Sequence, residues 1–198
     1  MTETASTKDK LLMSALELFS QKGYSATTVD EIAKTVGVTG PSIYKYFKGK
    51  AALLEALIKM ADETYKAKMS LNKDPMIWIH NAEELKTFSV NQVRFTLYDE
   101  IVVKLRKMYT IEQFRNEVMS EMASTHQYAN LIRIYTDIFR QLLGYGKIGE
   151  GDPELLALEY VAPITLLIQR CDRNPEERDE AMKRVEKHID YFVRKNFV

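Results

Sequence analysis

Residues 28–47 read TVDEIAKTVGVTGPSIYKYF, and this stretch decides the fold of the N-terminal region. Thr28 begins a capping box, and the helix that follows ends at Gly37 after about two turns. Thr39 and Pro41 then start another short helix, because proline is tolerated in a first turn, where its missing N–H has no helical partner. Two short helices joined by a glycine-containing turn predict a helix-turn-helix.

The same region is basic, although the chain as a whole has 28 Lys or Arg and 28 Asp or Glu. No acidic residue occurs between Glu31 and Glu55, whereas four lysines do. A local positive field of this kind indicates an anionic partner. The outer side of the second short helix should present hydroxyl, phenol and ammonium groups, which bond phosphate oxygens and base edges, while Ile43 and Phe47 should face a small helical core.

The rest of the chain also has helical periodicity. Only five Pro and eight Gly interrupt it, and capping patterns at Ser6, Asn81, Asp152 and Asn174 mark further helix starts. We therefore predict an all-α fold, with a three-helix DNA-binding domain at residues 1–50 and a larger helical domain at residues 51–198. The predicted helices beyond the helix-turn-helix span residues 50–69, 82–98, 100–113, 115–143, 153–170 and 175–195.

The sequence offers no catalytic or metal-binding pattern. Gly144–Gly149 has the glycine spacing of a dinucleotide loop, but it follows a helical run where that loop must follow a strand. His80, His126 and His188 lack metal-ligand spacing, and Cys171 is the only cysteine. We expect neither an enzyme nor a metal or cofactor site.

The chain has no run of about eighteen apolar residues and no signal-peptide pattern. A single cysteine permits no intrachain disulfide, which fits a reducing compartment. We expect a cytoplasmic protein without a membrane partner.

The segment from Leu11 to Leu54 resembles the N-terminal domain of the tetracycline-repressor (TetR) family. The matching residues are Phe19, Gly23-Tyr24, Thr27-Thr28, Ile32-Ala33, Gly37-Val38, Ile43-Tyr44, Tyr46-Phe47 and Lys50. The resemblance implies that one set of residues faces the major groove of DNA, namely Thr39, Gly40, Pro41, Ser42 and Lys45. It implies that a second set holds phosphates, namely Thr28, Tyr44, Tyr46 and Lys50. Many members have Lys-Gly where this chain has Gly40-Pro41, which places more of the base reading on the neighbouring side chains.

The middle of the chain is rich in aromatic side chains that either pack a core or line a pocket between helices. The resemblance favours an effector pocket, for which the candidates are Trp78, Phe88, Phe95, Tyr98, Tyr109, Phe114, Tyr128 and Tyr135. Apolar faces on the last two helices either cover the core of the subunit or form a two-fold dimer interface, which the resemblance favours. The interface candidates are Leu155, Leu158, Ala162, Leu166, Ala181, Val185, Ile189 and Phe192.

Together these features predict a homodimeric, ligand-responsive transcriptional regulator, a repressor acting on palindromic double-stranded operator DNA. The effector is a small molecule that the sequence does not identify. Two alternatives stay open. One is a helical enzyme or small-molecule carrier whose N-terminal resemblance is incidental, and the other is a constitutive DNA-binding regulator without an effector.

Overall fold

The computed structural model describes residues 6–68, 79–115 and 117–198, and the prediction of an all-α fold is confirmed. Ten α-helices lie in these ranges: α1 (Thr7–Lys22), α2 (Val29–Val36), α3 (Gly40–Ile43), α4 (Lys50–Lys68), α5 (Ala82–Tyr98), α6 (Glu100–Glu112), α7 (Glu117–Ser124), α8 (Asn130–Gly144), α9 (Pro153–Arg173) and α10 (Arg178–Asn196).

Four helix starts follow the local capping chemistry. Ser6 and Thr28 each form a reciprocal capping box with the acid three residues later, and the Asn81 side chain accepts a hydrogen bond from the Glu84 N–H. Asp152 accepts from the backbone N–H groups of the first turn of α9. These side chains satisfy backbone donors that have no partner within the helix.

Three predicted helices differ from the structure. The second helix of the helix-turn-helix stops at Ile43, after four residues. The predicted helix 115–143 is divided into α7, a π-turn over Thr125–Ala129, and α8. Residues Pro175–Glu177 form a 3₁₀ turn before α10, and Asn174 makes no side-chain cap.

The described residues fall into two compact units. The first unit lies within residues 1–64 and 100–123, and the second within residues 65–99 and 124–198. This division differs from the predicted one at residue 50, because Leu53, Leu54 and Leu57 of α4 are buried in the same cluster as α1–α3. Helical periodicity shows that α4 buries one face but does not show which helices cover it.

The first unit has a core contributed by α1–α4, α6 and α7. Ile43 and Phe47, predicted to point inward, are 0% and 6% exposed. Their burial against Leu11, Phe19 and Ile32 fixes the helix-turn-helix on α1. Because both apolar side chains point inward, the polar residues between them face outward.

The second unit has its own core, formed by α5, α8, α9 and α10. Its largest fully buried side chains include Phe88, Tyr160, Phe139 and Phe192. Several of these rings touch, and the Tyr160 and Phe192 centroids lie 4.7 Å apart in an edge-to-face arrangement.

Candidate functional site

The turn between α2 and α3 depends on Gly37. This residue has φ +76°, which a residue with a side chain adopts only with strain. The Gly37 N–H donates to the Lys34 carbonyl at 3.1 Å, and the Val38 N–H donates to the Ala33 carbonyl at 3.0 Å. These bonds close α2 and turn the chain into α3, as the sequence predicts.

The predicted DNA-contacting residues all lie in the first unit, and most are exposed. Tyr44 and Tyr46 are 62% and 42% exposed, so both phenol groups are accessible to a partner. Four others are exposed as well: Thr28, Thr39, Pro41 and Lys45. Gly40, Ser42 and Lys50 are half-buried.

Two of the predicted base-reading hydroxyls bond each other. The Thr39 Oγ1 and Ser42 Oγ atoms are 2.8 Å apart, and either can be the donor. Whichever hydroxyl accepts keeps its own O–H, so the pair still offers one donor and several lone pairs to a base edge.

Thr28 is engaged in its own capping box. Its Oγ1 accepts from the Glu31 N–H at 3.2 Å and donates to Glu31 Oε2 at 2.9 Å. Hydrogen bonds to Lys22 and then to Thr28 lower the pKa of the Glu31 carboxyl to about 2. To donate its hydroxyl hydrogen bond to a phosphate oxygen, Thr28 must therefore give up its hydrogen bond to the ionised Glu31 carboxylate.

Lys50 points into the turn between α1 and α2. Its ammonium donates to the carbonyl oxygens of Tyr24 at 2.7 Å, Thr27 at 2.8 Å and Ser25 at 3.4 Å. It also lies 4.4 Å from the centroid of the Tyr24 ring. Burial lowers the pKa of this ammonium. Since an ammonium has three N–H donors, a phosphate contact from Lys50 requires this arrangement to open.

Gly40 is packed against an acidic side chain. A Cβ atom at this position would lie 1.8 Å from Asp30 Oδ1 and 3.1 Å from Asp30 Cγ. A larger residue here requires Asp30 to move. Neither the Asp30 contact nor the Lys50 carbonyl cluster is apparent from the sequence, because both join residues whose proximity depends on how the helices pack.

Comparison with known proteins agrees with this geometry. The model of a family described as "Bacterial regulatory proteins, tetR family" matches residues 11–57, which contain the helix-turn-helix and part of α4. The matched residues, about a quarter of the chain, resemble the helix-turn-helix region of that family.

Two curated relatives illustrate the range of sequence similarity. YttP of Bacillus subtilis, named as an HTH-type transcriptional regulator, is 52% identical over 60 residues, which are 30% of this chain and 29% of YttP. IcaR of Staphylococcus aureus, named as a negative transcriptional regulator of the biofilm operon icaADBC, is 27% identical over 125 residues, or 61% of this chain and 63% of IcaR. The chain thus aligns with less than two thirds of the length of these relatives.

Solved structures show the same fold over nearly the whole chain. SmeT, the repressor of a Stenotrophomonas maltophilia multidrug efflux pump, superposes with a TM-score of 0.68 at 19% identity, covering 98% of this chain and 91% of SmeT. Its complex with triclosan gives the same TM-score. The matches to regulatory proteins support the prediction that the chain is not an enzyme. In the described ranges, no helix is long and apolar enough to cross a membrane, and no cluster of metal-ligand side chains occurs.

The predicted effector-pocket residues are not brought together in one unit. Tyr109 and Phe114 lie in the first unit, and Phe114 is 91% exposed. Five lie in the second unit: Phe88, Phe95, Tyr98, Tyr128 and Tyr135. Tyr98 and Tyr128 are exposed there, whereas the other three are buried. Trp78 lies outside the described residues.

The buried aromatic residues surround a hydrogen-bonded chain that sequence reasoning missed. The Tyr160 hydroxyl donates to Ser89 Oγ at 2.8 Å, Ser89 Oγ lies 3.0 Å from the Tyr135 hydroxyl, and Tyr135 lies 2.8 Å from Gln92 Oε1. Each hydroxyl has one proton, so the bonds are all satisfied if protons run from Tyr160 through Ser89 and Tyr135 to Gln92. Burial raises the pKa of both phenols, which keeps them neutral. The signal available in the sequence was Ser89, a polar residue on the apolar face of α5, which indicates a buried hydrogen bond.

The predicted dimer-interface residues differ in burial between α9 and α10. Ala181, Val185, Ile189 and Phe192 of α10 are at most 5% exposed, because they pack in the core of their own subunit. The α9 residues are different. Leu155, Leu158 and Leu166 are 65%, 42% and 68% exposed, and Ala162 is exposed beside them. These four residues, the α9 stripe, are spaced by three or four positions and therefore share one face of the helix.

Proposed function

We propose that this protein is a transcriptional repressor that binds double-stranded operator DNA as a homodimer. The observation that carries the proposal is the outward face of the helix-turn-helix. Tyr44, Lys45 and Tyr46 are exposed there, while Ile43 and Phe47 anchor the same segment in the core. Exposed phenol and ammonium groups on a rigid element are suited to contact phosphates and bases. The names of IcaR and SmeT, a negative regulator and a repressor, support the direction of regulation. We place this activity in the cytoplasm, where bacterial operators lie.

Selection of bound fragments from genomic DNA tests the DNA-binding part. With a selected fragment, Lys45→Ala should weaken binding and change the preferred base at one position by about 1–3 kcal/mol. Lys183→Ala is the matched control, because Lys183 is an exposed lysine on α10, outside the proposed interface. Equal effects of the two substitutions, or no retention of DNA by the unsubstituted protein at low salt, would contradict the proposal.

We propose that the α9 stripe forms the dimer interface. In a monomer, three leucines on one helical face would leave a contiguous apolar surface in water, which monomeric proteins rarely do. A two-fold contact would bury these leucines against the same residues of a second copy. A two-fold dimer should read a palindromic site. Leu158→Glu should give a folded monomer in sedimentation, because it would bury unpaired charges at such an interface. Val118→Glu, at a residue 60% exposed in the first unit, should leave the dimer intact. A Leu158→Glu dimer would place the interface elsewhere.

We propose further that a small-molecule effector controls DNA binding. The SmeT–triclosan complex supports this by similarity of fold only. Within the second unit, the proposed pocket residues are Phe88, Phe95 and Tyr135, with Tyr98 and Tyr128 at the surface. Linkage requires that an effector which weakens operator binding is itself bound more weakly when operator is present, by about 5- to 150-fold for typical coupling. Equal affinity of a bound compound with and without operator would exclude the switch.

One observation favours a constitutive regulator as the second candidate. Phe88 and Tyr135 are 1% and 2% exposed, and their rings lie 6.1 Å apart in a core whose hydroxyl groups already bond one another. A ligand can enter there only by displacing these contacts. A screen in which no compound changes operator affinity would support this second candidate.

A further inference from the structure

The turn between α1 and α2 is held by charged side chains from two other helices. Glu112, at the end of α6, is fully buried. Its Oε1 accepts from the Ser25 N–H at 3.0 Å, and its Oε2 accepts from the Ser25 hydroxyl at 2.6 Å. Lys50, at the start of α4, donates to three carbonyl oxygens of the same turn. Glu112 therefore binds a backbone N–H of this turn, and Lys50 binds three of its carbonyl oxygens.

Gly23 shows how closely the acid is packed. A Cβ atom at Gly23 would lie 2.2 Å from Glu112 Oε1, and Gly23 also has φ +91°. The absence of a side chain is thus what allows the carboxylate to reach Ser25. The turn is further closed by Thr27, whose hydroxyl donates to the Gly23 carbonyl at 2.8 Å.

The two charges support each other across the turn. Burial lowers the pKa of Lys50, whereas the negative charge of Glu112 opposes that shift. Charge-assisted hydrogen bonds to a buried carboxylate are about twice as strong as neutral ones. Removing Lys50 takes away the shared donor of the turn's carbonyl oxygens, and removing Glu112 takes away the acceptor of the Ser25 N–H and hydroxyl.

We infer that Glu112 and Lys50 are positioning residues for DNA binding, which act by fixing the turn that leads directly into α2. The inference rests on the proposed function. Thr28, the N-cap of α2 and a predicted phosphate contact, follows Thr27 in the chain, so its place depends on this turn. Lys50 helps to fix the turn through its hydrogen bonds to the carbonyl oxygens of Tyr24, Ser25 and Thr27. The end of α6 thereby sets the orientation of the helix-turn-helix.

Whether removal of Glu112 strengthens or weakens DNA binding distinguishes a positioning role from an effect of its negative charge. Removing a carboxylate from a DNA-binding unit should strengthen DNA binding by long-range electrostatics. A positioning role predicts instead that removal of Glu112 weakens DNA binding. Glu121→Ala is the matched control, because Glu121 is an exposed acid on α7 in the same unit. It should leave binding unchanged or strengthen it.

The experiment measures affinity of the full chain for a selected DNA fragment at several salt concentrations. The temperature is one at which circular dichroism shows every variant folded. Glu112→Ala and Lys50→Ala should each weaken binding on the order of tenfold, the equivalent of about 1.4 kcal/mol. The salt slope should equal that of the unsubstituted protein, because no phosphate contact of a charged group is lost. Glu112→Gln keeps the length of the side chain and one acceptor oxygen, so it should weaken binding less and serves if Glu112→Ala does not fold.

Three results would overturn the inference, in part or in full. A slope that falls by about 0.9 in Lys50→Ala would make Lys50 a direct phosphate contact. Folded Glu112→Ala and Glu112→Gln variants that bind DNA as tightly as the unsubstituted protein would remove the positioning role while leaving the proposed function intact. Absence of DNA binding by the unsubstituted protein would remove both.

Discussion

Ser89 connects two buried tyrosines in the second unit, and its replacement by alanine gives a sharp test of the hydrogen-bonded chain. Ser89 is fully buried and lies 2.8 Å from the Tyr160 hydroxyl and 3.0 Å from that of Tyr135. Alanine removes one oxygen and little volume, so the effect should come from hydrogen bonding and not from a cavity.

The expected loss of stability follows from which groups keep a partner. Tyr135 retains Gln92 Oε1 at 2.8 Å, whereas the Tyr160 hydroxyl loses the only hydrogen-bond acceptor that the described residues provide for it. Leaving one buried donor unsatisfied costs about 1–3 kcal/mol. We expect Ser89→Ala to lower the free energy of unfolding by about 2 kcal/mol. Tyr160→Phe in that background removes the orphaned hydroxyl, so the double variant should lose less than the sum of the two single variants, by roughly 1 kcal/mol.

Urea unfolding followed by circular dichroism measures these differences, with all variants at one protein concentration so that the proposed dimerisation contributes equally. Ser20→Ala is the control, because the Ser20 hydroxyl is half-buried and bonds only a carbonyl of its own helix, that of Glu17, at 2.8 Å. It should change stability by less than about 0.5 kcal/mol. A Ser89→Ala variant as stable as this control, or additive effects of Ser89→Ala and Tyr160→Phe, would refute the chain as described.

Three further predictions concern single positions. Burial raises the pKa of Tyr65 and Tyr109 to about 12. The unfolded phenols ionise first, so the contribution of these residues to stability is complete below about pH 10 and is lost as the pH rises toward 12. We expect the urea midpoint to fall over this pH range, and to fall less in Tyr109→Phe. Gly40→Ala should cost about 1–3 kcal/mol through the clash with Asp30, and Asp30→Ala should restore the loss; additive losses would contradict the contact. Asp152→Ala should cost about 1 kcal/mol in thermal unfolding, since Asp152 caps two N–H groups of α9 at 2.8 and 3.0 Å; an unchanged midpoint would show the cap to be dispensable.

Features set by neighbouring residues in the chain could be predicted from the sequence. The capping boxes at Ser6 and Thr28 and the turn at Gly37 follow from side chains within three or four positions of each other. The helix-turn-helix follows from them, and so does the inward placement of Ile43 and Phe47. The groups that form the caps and the turn are fixed by local backbone geometry alone, and the spacing of Ile43 and Phe47 places them on one side of the segment.

Features set by packing between distant helices could not be predicted in the same way. The periodicity of α10 correctly indicates that Val185 and Ile189 are buried, but it is the same whether the covering residues belong to the same subunit or to a partner. The structure covers them with the core of their own subunit and leaves Leu158 exposed on α9. The predicted division at residue 50 differs from the two compact units for the same reason.

Glu112 shows that a distant contact can still leave a local sign in the sequence. An acidic residue in the last turn of a helix meets the negative end of the helix dipole, which is unfavourable unless another group compensates. At the end of α6 that compensation comes from the Ser25 N–H and hydroxyl, with the charge of Lys50 beyond the same turn. Gly23 supplies the space. A residue that contradicts the preference of its own helix thus indicates that the helix end is held by another part of the chain, and here that part is the turn that precedes the DNA-binding helices.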